Sequence, residues 1–410
     1  MENIGQEVES MLEWIADFAK DPTGGVTRLL YSKEWINTQQ GLEERMKEFG
    51  FDKVYYDEVG NVFGRLEGSK FKDETILTGS HVDTVRNGGM YDGQYGIAAG
   101  IIALKYLKEK YGQPLRNIEV VSMVEEEGSR FPYVFFGVKN IFNMVKEEEV
   151  IGITDAEGIK FEDAMRKAGF RFKTNEDPKR NDIKAFIEAH IEQGSVLELE
   201  KKDIGVVTSI VGQRRFIFEL NGQANHAGTT PMKYRKDTLH VASMIISNIM
   251  EKARQYSDPL VATVGKIDVT PNTSNVVPGK TIFTLDVRHT NKGILKEFTD
   301  IICEDSKAIA KDNEVKIDIN MWMDEDPVPM NEQIVNTLKE QCNESNINYK
   351  IMHSGAGHDS QIMAQFVPTA MIFVPSKDGI SHSPLEYTDP KHLAEGVKLL
   401  ISSLYELGYK

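Results

Sequence analysis

The chain has 410 residues, of which 40% are hydrophobic and 27% charged, and its formal net charge is -15. This length exceeds one ordinary hydrophobic core, so we expect a soluble globular protein with two domains. The acidic balance argues against nucleic acid as a partner, because phosphate binding needs a basic face. No run of about 18 apolar residues is present, so we expect no membrane-spanning segment.

The N-terminus and the cysteines indicate the cellular compartment. The first residues, MENIGQEVESMLEWIADFAKD, predict an acidic amphipathic helix and lack the basic start and apolar core of a signal peptide. Cys303 and Cys342 both lie in helical patterns and are interpreted as buried free thiols. We therefore expect a cytoplasmic location and no metal site built on cysteine.

Strand and helix patterns alternate through the first half of the chain. Apolar strand patterns occupy residues 74–80, 117–124 and 183–194, and a helical pattern that ends on Gly112 occupies residues 96–112. Such alternation is typical of an α/β fold. We therefore expect a mostly parallel sheet with helices on both faces.

The pattern changes near residue 205. The next stretch carries strand, helix, strand, strand, helix and strand patterns at residues 204–220, 237–256, 260–269, 280–290, 292–312 and 314–322. The order β-α-β-β-α-β is that of a ferredoxin-like unit. We therefore predict an α+β domain of residues 212–325, inserted into a larger domain made of residues 1–211 and 326–410.

Polar side chains follow the predicted buried strands. In open α/β sheets, ligands bind beyond the carboxyl ends of the strands. Five side chains suited to metal binding fall there, beginning with those of GSHVDTVRNGGMYDG: His81, Asp92, Glu127, His190 and His382. Three imidazoles and two carboxylates, without a thiolate, suit zinc, manganese or cobalt.

This set of side chains predicts a site for two metal ions. Two divalent ions about 3.5–4 Å apart need a bridging carboxylate and can activate one water at neutral pH. Asp92 suits the bridge, because its flanking glycines permit positive φ angles and a close approach of the backbone. Asp83 shares the strand face of His81, and we expect it to hold the second ring nitrogen of that histidine.

Glu126 and Glu127 directly follow an apolar strand, and we expect the two carboxylates to have different roles. One carboxylate would bind metal, and its neighbour would take a proton from the attacking water and return it to the leaving nitrogen. The spacing alone allows either order.

Eight segments carry a resemblance to a known family. They are GSHVDTVRNGGMYDGQYG, EEEGSRFPYVFFGVKNIF, AHIEQG, NGQANHAGTTPM, PNTSNVVPG, DVRHT, HSGAGHDSQ and GISHSP. The chain resembles the dinuclear metallo-amidohydrolases related to the M20 peptidases, and within them the N-carbamoyl amino acid hydrolases. The resemblance implies a zinc-exopeptidase-like catalytic domain. It also implies an inserted domain that makes a homodimer and closes over the active site.

The resemblance also implies roles for the residues at the strand ends. One ion would be held by His81, Asp92 and His190, and the other by Asp92, Glu127 and His382. Asp83 would steady His81, and Glu126 would act as general base and general acid. The implied reaction is hydrolysis of a ureido C–N bond, with two divalent ions per subunit as cofactors.

Substrate-binding positions are implied at Gln193, His226, Asn275 and Arg288. Arg288 offers forked donors that fit a carboxylate, and Asn275 can serve the same anion or a ureido group. His226 can donate a hydrogen bond to a developing oxyanion. We therefore expect a small carboxylate-bearing ureide as the substrate.

A glycine-rich turn in HSGAGHDS is a further candidate for substrate binding. Its residues Gly355, Ala356 and Gly357 precede a predicted helix start, and their N–H groups can face a carboxylate or a ureido oxygen. His358 and Asp359 are interpreted as a helix cap and loop scaffold, since five ligands already complete the site.

Two alternatives stay open. An N-carbamoyl-L-amino acid or β-ureidopropionate hydrolase would use the same centre on a different substrate. A non-catalytic sensor would keep the fold and bind ureides, although Glu126 beside a full ligand set argues against it.

Overall fold

The computed structural model describes residues 3–174, 176–256 and 258–410. It divides into two compact units: Ser209–Pro329 form the second unit, and the residues on either side of that segment form the first. No described helix combines the length and the apolar character that a membrane crossing requires.

The helices and strands are numbered along the chain. In the described residues, the helices are α1 (Ile4–Asp17), α2 (Lys33–Glu48), α3 (Gln94–Tyr111), α4 (Phe136–Ile141), α5 (Glu147–Val150), α6 (Phe161–Lys167), α7 (Val196–Leu199), α8 (Thr238–Ala253), α9 (Lys292–Asp312), α10 (Glu332–Glu344), α11 (Asp359–Met363) and α12 (Pro390–Tyr409). The strands are β1 (Lys53–Tyr56), β2 (Val62–Leu66), β3 (Phe71–His81), β4 (Arg116–Met123), β5 (Ile183–Ile191), β6 (Ile204–Ile210), β7 (Gly212–Asn221), β8 (Asn225–His226), β9 (Val261–Thr263), β10 (Ile267–Thr270), β11 (Val276–Val277), β12 (Lys280–His289), β13 (Lys316–Glu325), β14 (Val328–Pro329), β15 (Tyr349–Ser354) and β16 (Thr369–Val374).

The large sheet has a parallel centre and antiparallel edges. Its strands follow the order β1-β2-β4-β3-β5-β16-β6, and β15 also pairs with β6. The pairs β4-β3, β3-β5 and β5-β16 are parallel, whereas β1-β2, β2-β4 and β16-β6 are antiparallel. The predicted α/β class is confirmed, and the sheet is mixed because β2 and β6 run against the central four strands.

Helices cover both faces of this sheet. On one face, Leu77 of β3 and Phe186 of β5 pack with apolar side chains of α4 and α11. On the other face, α3 lies so close that a Cβ added at Gly100 would be 2.6 Å from the side chain of Val120 in β4. Full burial of such a side chain contributes about 1.5–3 kcal/mol. Strands buried on both faces lack polar alternation, which explains their continuous apolar sequence.

The second unit has the predicted ferredoxin-like element order. Its sheet follows the order β10-β12-β7-β13, β9 also pairs with β12, and these pairings are antiparallel. Buried residues alternate along β7 and β12 because one face packs against α8 and α9. Phe218 and Phe283 stack in that core with ring centroids 4.7 Å apart. β8 and β11 form a separate two-stranded ribbon.

Three local predictions were wrong. Residues 204–220 form two strands in different sheets, β6 and β7, and a Cβ at Gly212 after the break would be 2.6 Å from Pro327. Residues 260–269 also form two strands, β9 and β10, which pair with separate parts of β12. Cys303 is half-buried, while Cys342 is buried as expected. Apolar periodicity continues across both breaks, so it does not reveal where a strand changes partner.

Candidate metal centre and catalytic site

The candidate residues of the first unit lie where four parallel strands end. His81 is the last residue of β3 and stands opposite Met123, the last residue of β4. His190 of β5 stands opposite Phe373 of β16. The segments that follow β4 and β16 carry the remaining predicted ligands, Glu127 and His382.

Two groups of potential ligands share Asp92. Its Oδ1 is 3.4 Å from Nε2 of His81 and 3.2 Å from Nε2 of His190. Its Oδ2 is 3.2 Å from Nε2 of His382, which is in turn 3.6 Å from Oε1 of Glu127. Within each group the ligand atoms lie within 4.8 Å of one another. Asp92 therefore points one carboxylate oxygen toward each group.

Two imidazoles are held in the orientation that a metal ligand needs. Nδ1 of His81 lies 3.0 Å from the main-chain carbonyl of Asp83, and Nδ1 of His190 lies 2.9 Å from that of Ile191. A carbonyl only accepts, so each Nδ1 carries the hydrogen and each Nε2 presents a lone pair. The N–H of Gly93 also points at Nε2 of His190, at 3.2 Å. The donor set therefore fits divalent cations.

The contact between Asp83 and His81 differs from the expected one. The nearest carboxylate oxygen of Asp83 is 4.0 Å from Nδ1 of His81, so the shorter contact comes from the main-chain carbonyl. The carboxylate instead accepts the N–H groups of Glu126 and Glu127, at 3.2 and 3.1 Å. Asp83 thus joins the end of β3 to the segment that carries both glutamates.

The backbone at Gly93 requires glycine. Its φ is +71°, and a Cβ there would be 2.5 Å from both the ring and the carbonyl oxygen of His81. An L-residue disfavours this conformation, and no space remains for its side chain. The glycine after Asp92 therefore allows the carboxylate to approach the histidine closely.

The carboxylates of the cluster favour positive charge beside them, either on an imidazole or on a cation bound at Nε2. Burial lowers the pKa of His81, but Glu126, Asp92 and Asp83 outweigh it and raise the pKa well above its ordinary value. A hydrogen bond with Asp92 raises the pKa of His382 to about 9. Burial raises the pKa of Asp92, yet its bonds with three imidazoles hold it well below the ordinary range. Divalent cations would supply the same positive charge.

Glu126 and Glu127 occupy different places in the cluster. Glu127 belongs to the group with Asp92 and His382, whereas Glu126 belongs to neither group and lies 3.9 Å from Nε2 of His81. Burial raises the pKa of Glu126 well above its ordinary value and that of Glu127 to about 7. A buried carboxyl group beside the ligands, with a raised pKa, suits proton transfer near neutral pH.

Gln193 contacts the shared carboxylate. It follows β5 with φ +56°, and its Nε2 donates to Oδ2 of Asp92 at 2.7 Å. Its N–H donates to Oγ of Ser376 at 3.1 Å, while its side-chain oxygen is buried and has no hydrogen-bond donor among the described residues. That oxygen is therefore an unsatisfied acceptor.

The turn of Gly355, Ala356 and Gly357 is held by Ser354. The N–H of Ala356 donates to Oγ of Ser354 at 3.1 Å, and the two glycines are exposed. Nε2 of His358 lies 2.8 Å from the same hydroxyl, and its side chain does not cap α11. His358 occupies the cap position before α11 as expected, but its ring contacts Ser354 instead of the helix N–H groups.

A third group of titratable residues, Glu188, His190 and His358, is also close enough for a metal. Both carboxylate oxygens of Glu188 already accept hydrogen bonds, one from Ser80 at 2.7 Å and one from Ser360 at 2.6 Å. Burial also lowers the pKa of His358 well below its ordinary value. These contacts give Glu188 and His358 a scaffold role.

In the second unit, His226 is the last residue of β8, and Asn275 directly precedes β11. The N–H of Ala227 donates to the main-chain carbonyl of Asn275 at 2.9 Å, and both candidate residues are exposed. The N–H of Gly228 donates to Nδ1 of His226 at 3.1 Å. Nδ1 is therefore an acceptor, so Nε2 carries the hydrogen and can donate it.

Arg288 lies on the face of the β12 sheet that points away from the helices. Its Nε and Nη2 donate to the two carboxylate oxygens of Asp286, at 3.0 and 3.1 Å. Asp286 also accepts a hydrogen bond from Nε of Arg215 at 2.9 Å. Asp286 thus keeps a cationic partner if Arg288 turns to another anion.

Two contacts of the cluster were missed in the sequence. Ser381 and Glu386 flank His382 and bond to the side chain and the main chain of Asp92, respectively. The only signal was a charged residue in the otherwise uncharged stretch GISHSPLEYT. Its burial follows from tertiary packing that no local pattern indicates.

The chain is similar to known proteins over nearly its whole length. The model of Peptidase family M20/M25/M40 matches residues 77–406. The chain is 53% identical to allantoate amidohydrolase of Escherichia coli (strain K12), over 99% of this chain and 98% of that protein. It is 43% identical to allantoate amidohydrolase of Bacillus subtilis (strain 168), again over 99% and 98%.

A solved structure has the same fold. An amidase of the hydantoinase/carbamoylase family from Burkholderia multivorans superposes with a TM-score of 0.93 at 31% identity, over 99% of this chain and 98% of that one. The motif resemblance is confirmed, and the chain belongs to Peptidase family M20/M25/M40.

Proposed function

We propose that this chain is a metal-dependent amidohydrolase that cleaves a ureido C–N bond of allantoate. The products would be ureidoglycine, ammonia and carbon dioxide. The observation that carries the proposal is the pair of ligand groups that share Asp92, with the Glu126 carboxylate beside them. Similarity over nearly the whole chain to two allantoate amidohydrolases supports the choice of substrate.

The cofactors we propose are two divalent ions, zinc or manganese, with cobalt as an in vitro substitute. One would be held by His81, Asp92 and His190, and the other by Asp92, Glu127 and His382. Ions bound there would polarise the ureido carbonyl and lower the pKa of the attacking water.

Glu126 is the proposed general base and general acid. It would take a proton from the attacking water and deliver that proton to the departing nitrogen. Its place outside both ligand groups and its raised pKa support this assignment. Asp83 supports the same reaction indirectly, because it fixes the main chain of both glutamates.

The substrate would be bound by donors from several segments. Arg288 is proposed to bind the carboxylate, assisted by Asn275, and the Nε2–H of His226 is proposed to stabilise the oxyanion. The side-chain oxygen of Gln193 would accept a ureido N–H group.

The inserted unit would also make a homodimer and close over the substrate. Closure would exclude water and fix the orientation of the ureido group. We propose a cytoplasmic location for this enzyme.

Ammonia release by the metal-reconstituted protein tests the proposal. Allantoate should be hydrolysed faster than N-carbamoyl-L-amino acids or β-ureidopropionate. The Glu126→Gln control should lose about 10²–10⁴-fold in rate while it retains its ions. Faster turnover of an N-carbamoyl amino acid would favour that second candidate, which the similarity to the hydantoinase/carbamoylase amidase supports. Binding of allantoate without any turnover would instead indicate a sensor.

A further inference from the structure

We propose that Glu386 is a positioning residue that fixes Asp92 and joins the segment of Asp92 to the segment of His382. The inference rests on the proposed metal-binding function of these two residues. Glu386 is only 5% exposed, although it lies in a loop between β16 and α12. A carboxylate buried in a loop requires partners, and its partners identify its role.

One oxygen of Glu386 holds the main chain at Asp92. Oε1 accepts the N–H of Tyr91 at 2.9 Å and the N–H of Asp92 at 3.0 Å. Two successive N–H groups that converge on one carboxylate oxygen fix the orientation of both peptide units. The Asp92 side chain is therefore held at the position from which it reaches both ligand groups.

The other oxygen acts through Ser381. Oε2 of Glu386 accepts the hydroxyl of Ser381 at 2.8 Å, and the same hydroxyl lies 3.1 Å from Oδ2 of Asp92. A hydroxyl has one hydrogen, so Ser381 donates to one of the two carboxylates at a time. Ser381 directly precedes His382, so this bridge links the His382 segment to the shared carboxylate.

Gly89 provides the space that Glu386 occupies. A Cβ at Gly89 would be 2.1 Å from Oε1 of Glu386 and 2.3 Å from its carboxyl carbon. Any other residue at position 89 would displace this carboxylate. Gly89, one of the three glycines in RNGGMYDG, thus allows the carboxylate to approach the Asp92 loop.

Glu386 acts on Asp92 through neutral donors. Its hydrogen-bond donors are the N–H groups of Tyr91 and Asp92 and the hydroxyl of Ser381. Partners that orient metal-binding side chains typically contribute about 10–100-fold to metal affinity.

Metal titration of Glu386→Gln tests the proposal. Glutamine keeps the shape and can accept the two N–H groups, but it loses the charge and the acceptor for Ser381. After chelation and dialysis, calorimetric titration with Mn²⁺ should show binding about 10–100-fold weaker than in the unsubstituted protein. The Mn²⁺ concentration that gives half-maximal allantoate hydrolysis should rise by the same factor, and saturating Mn²⁺ should restore most of the rate.

Asp57→Asn is the matched control. Asp57 also accepts successive main-chain N–H groups, those of Val59, Gly60 and Asn61 at 3.2, 3.1 and 2.9 Å, and it belongs to none of the ligand groups. This variant should bind Mn²⁺ as the unsubstituted protein does. Ser381→Ala should weaken binding less than Glu386→Gln, because both main-chain bonds remain.

The outcomes separate this inference from the proposed function. Unchanged Mn²⁺ affinity in Glu386→Gln would overturn the positioning role, and lowered thermal stability alone would reduce Glu386 to a structural link. If the unsubstituted protein bound Mn²⁺ but did not hydrolyse allantoate, the substrate proposal would fail and the positioning role would still be measured by affinity. If that protein bound no Mn²⁺, Zn²⁺ or Co²⁺, both would fail.

Discussion

His81 and His190 of the first unit and the candidate residues of the second unit are presented in opposite ways. In the first unit, His81 and His190 are 2% and 1% exposed, and main-chain carbonyls fix their ring orientation. In the second unit, His226 and Asn275 are exposed at a short ribbon. A metal site gains affinity from ligands fixed before the ion arrives, whereas a substrate anchor must remain accessible to a molecule that enters and leaves.

Arg288 of the second unit shows what a substrate anchor requires in order to remain accessible. Arg288 is paired with Asp286, so binding of a substrate carboxylate would exchange one anion for another. Arg215 and Gln213 also bond to Asp286 and would keep it paired during that exchange. In the first unit, the carboxylate of Asp83 is buried and accepts two main-chain N–H groups. It therefore keeps its partners when a substrate binds.

Removal of the ions should have the largest effect and should act on the first unit. Chelation should abolish hydrolysis, because the ions polarise the carbonyl and activate the water. Ions at 100 times their dissociation constant would stabilise the folded state by about 2.7 kcal/mol, and chelation removes that contribution. Hydrogen-exchange mass spectrometry should show faster exchange around Asp92, Glu127 and His382.

The rate of hydrogen exchange in Ser209–Pro329 provides the internal control, and this rate should change little on chelation. An equal increase in the hydrogen-exchange rate of both units would contradict the assignment of the ions to the first unit.

Substitution of His226 by Ala should have the next largest effect. Loss of a donor to the oxyanion should lower kcat by about 10²–10³-fold, with a small change in KM. The exposed side chain contributes little to folding, so the free energy of unfolding should change by less than about 0.5 kcal/mol. Steady-state kinetics and urea unfolding measure the two quantities.

His240→Ala is the control for this substitution, since His240 is an exposed histidine of the same unit, on α8. It should leave kcat unchanged. An equal loss of kcat in both variants would remove His226 from the catalytic site.

Arg288→Ala should raise the KM for allantoate by about 10–100-fold, since a hydrogen-bonded charged pair contributes about 1.5–3 kcal/mol. The change in kcat should be smaller. Arg215→Ala removes the other arginine on Asp286 and should leave KM near its original value. If Arg288→Ala left KM unchanged, the carboxylate anchor would lie elsewhere.

The smallest effect is expected at Asp182, which lies at the ends of β3 and β5 opposite to the ligands. Burial raises the pKa of Asp182, but bonds with Arg180 and Thr75 outweigh it and hold the pKa at about 2, below its ordinary 3.8. The charged form therefore stabilises the fold above pH 3.8, and this contribution disappears as pH falls through about 2.

Asp182→Asn should consequently cost about 0.2–1 kcal/mol at pH 7, because the pair is partly exposed. The difference from the unsubstituted protein, measured by urea unfolding, should shrink toward pH 2. If the difference in free energy of unfolding grew in acid, the charged form of Asp182 would not be the stabilising one. If the variant lost bound metal, Asp182 and its partners would be coupled to the ligand groups.

Much of this organisation could be predicted from the sequence, because it depends on strand direction. The apolar runs located β3, β4 and β5, and parallel strands end at one edge of a sheet. Residues that directly follow those runs must therefore come close together. The metal-binding roles assigned to those residues remain predictions.

Other features depend on atoms that a pattern of residue types does not specify. The sequence placed Asp83 beside His81, but main-chain geometry decides that its carbonyl makes the closer contact. Glu386 lies 294 positions from Asp92 along the chain, and packing alone brings them together. The break between β6 and β7 likewise reflects a change of sheet that continuous apolar periodicity conceals.

The most direct test counts bound ions in Asp92→Asn and His382→Ala beside the unsubstituted protein. After equilibrium dialysis against Zn²⁺ or Mn²⁺, elemental analysis and native mass spectrometry should find two ions per chain in the unsubstituted protein. His382→Ala should retain one ion, because the group with His81 and His190 is intact. Asp92→Asn should lose both, because both groups use its carboxylate. Two ions in Asp92→Asn, or an equal loss in the two variants, would contradict a centre built around a shared aspartate.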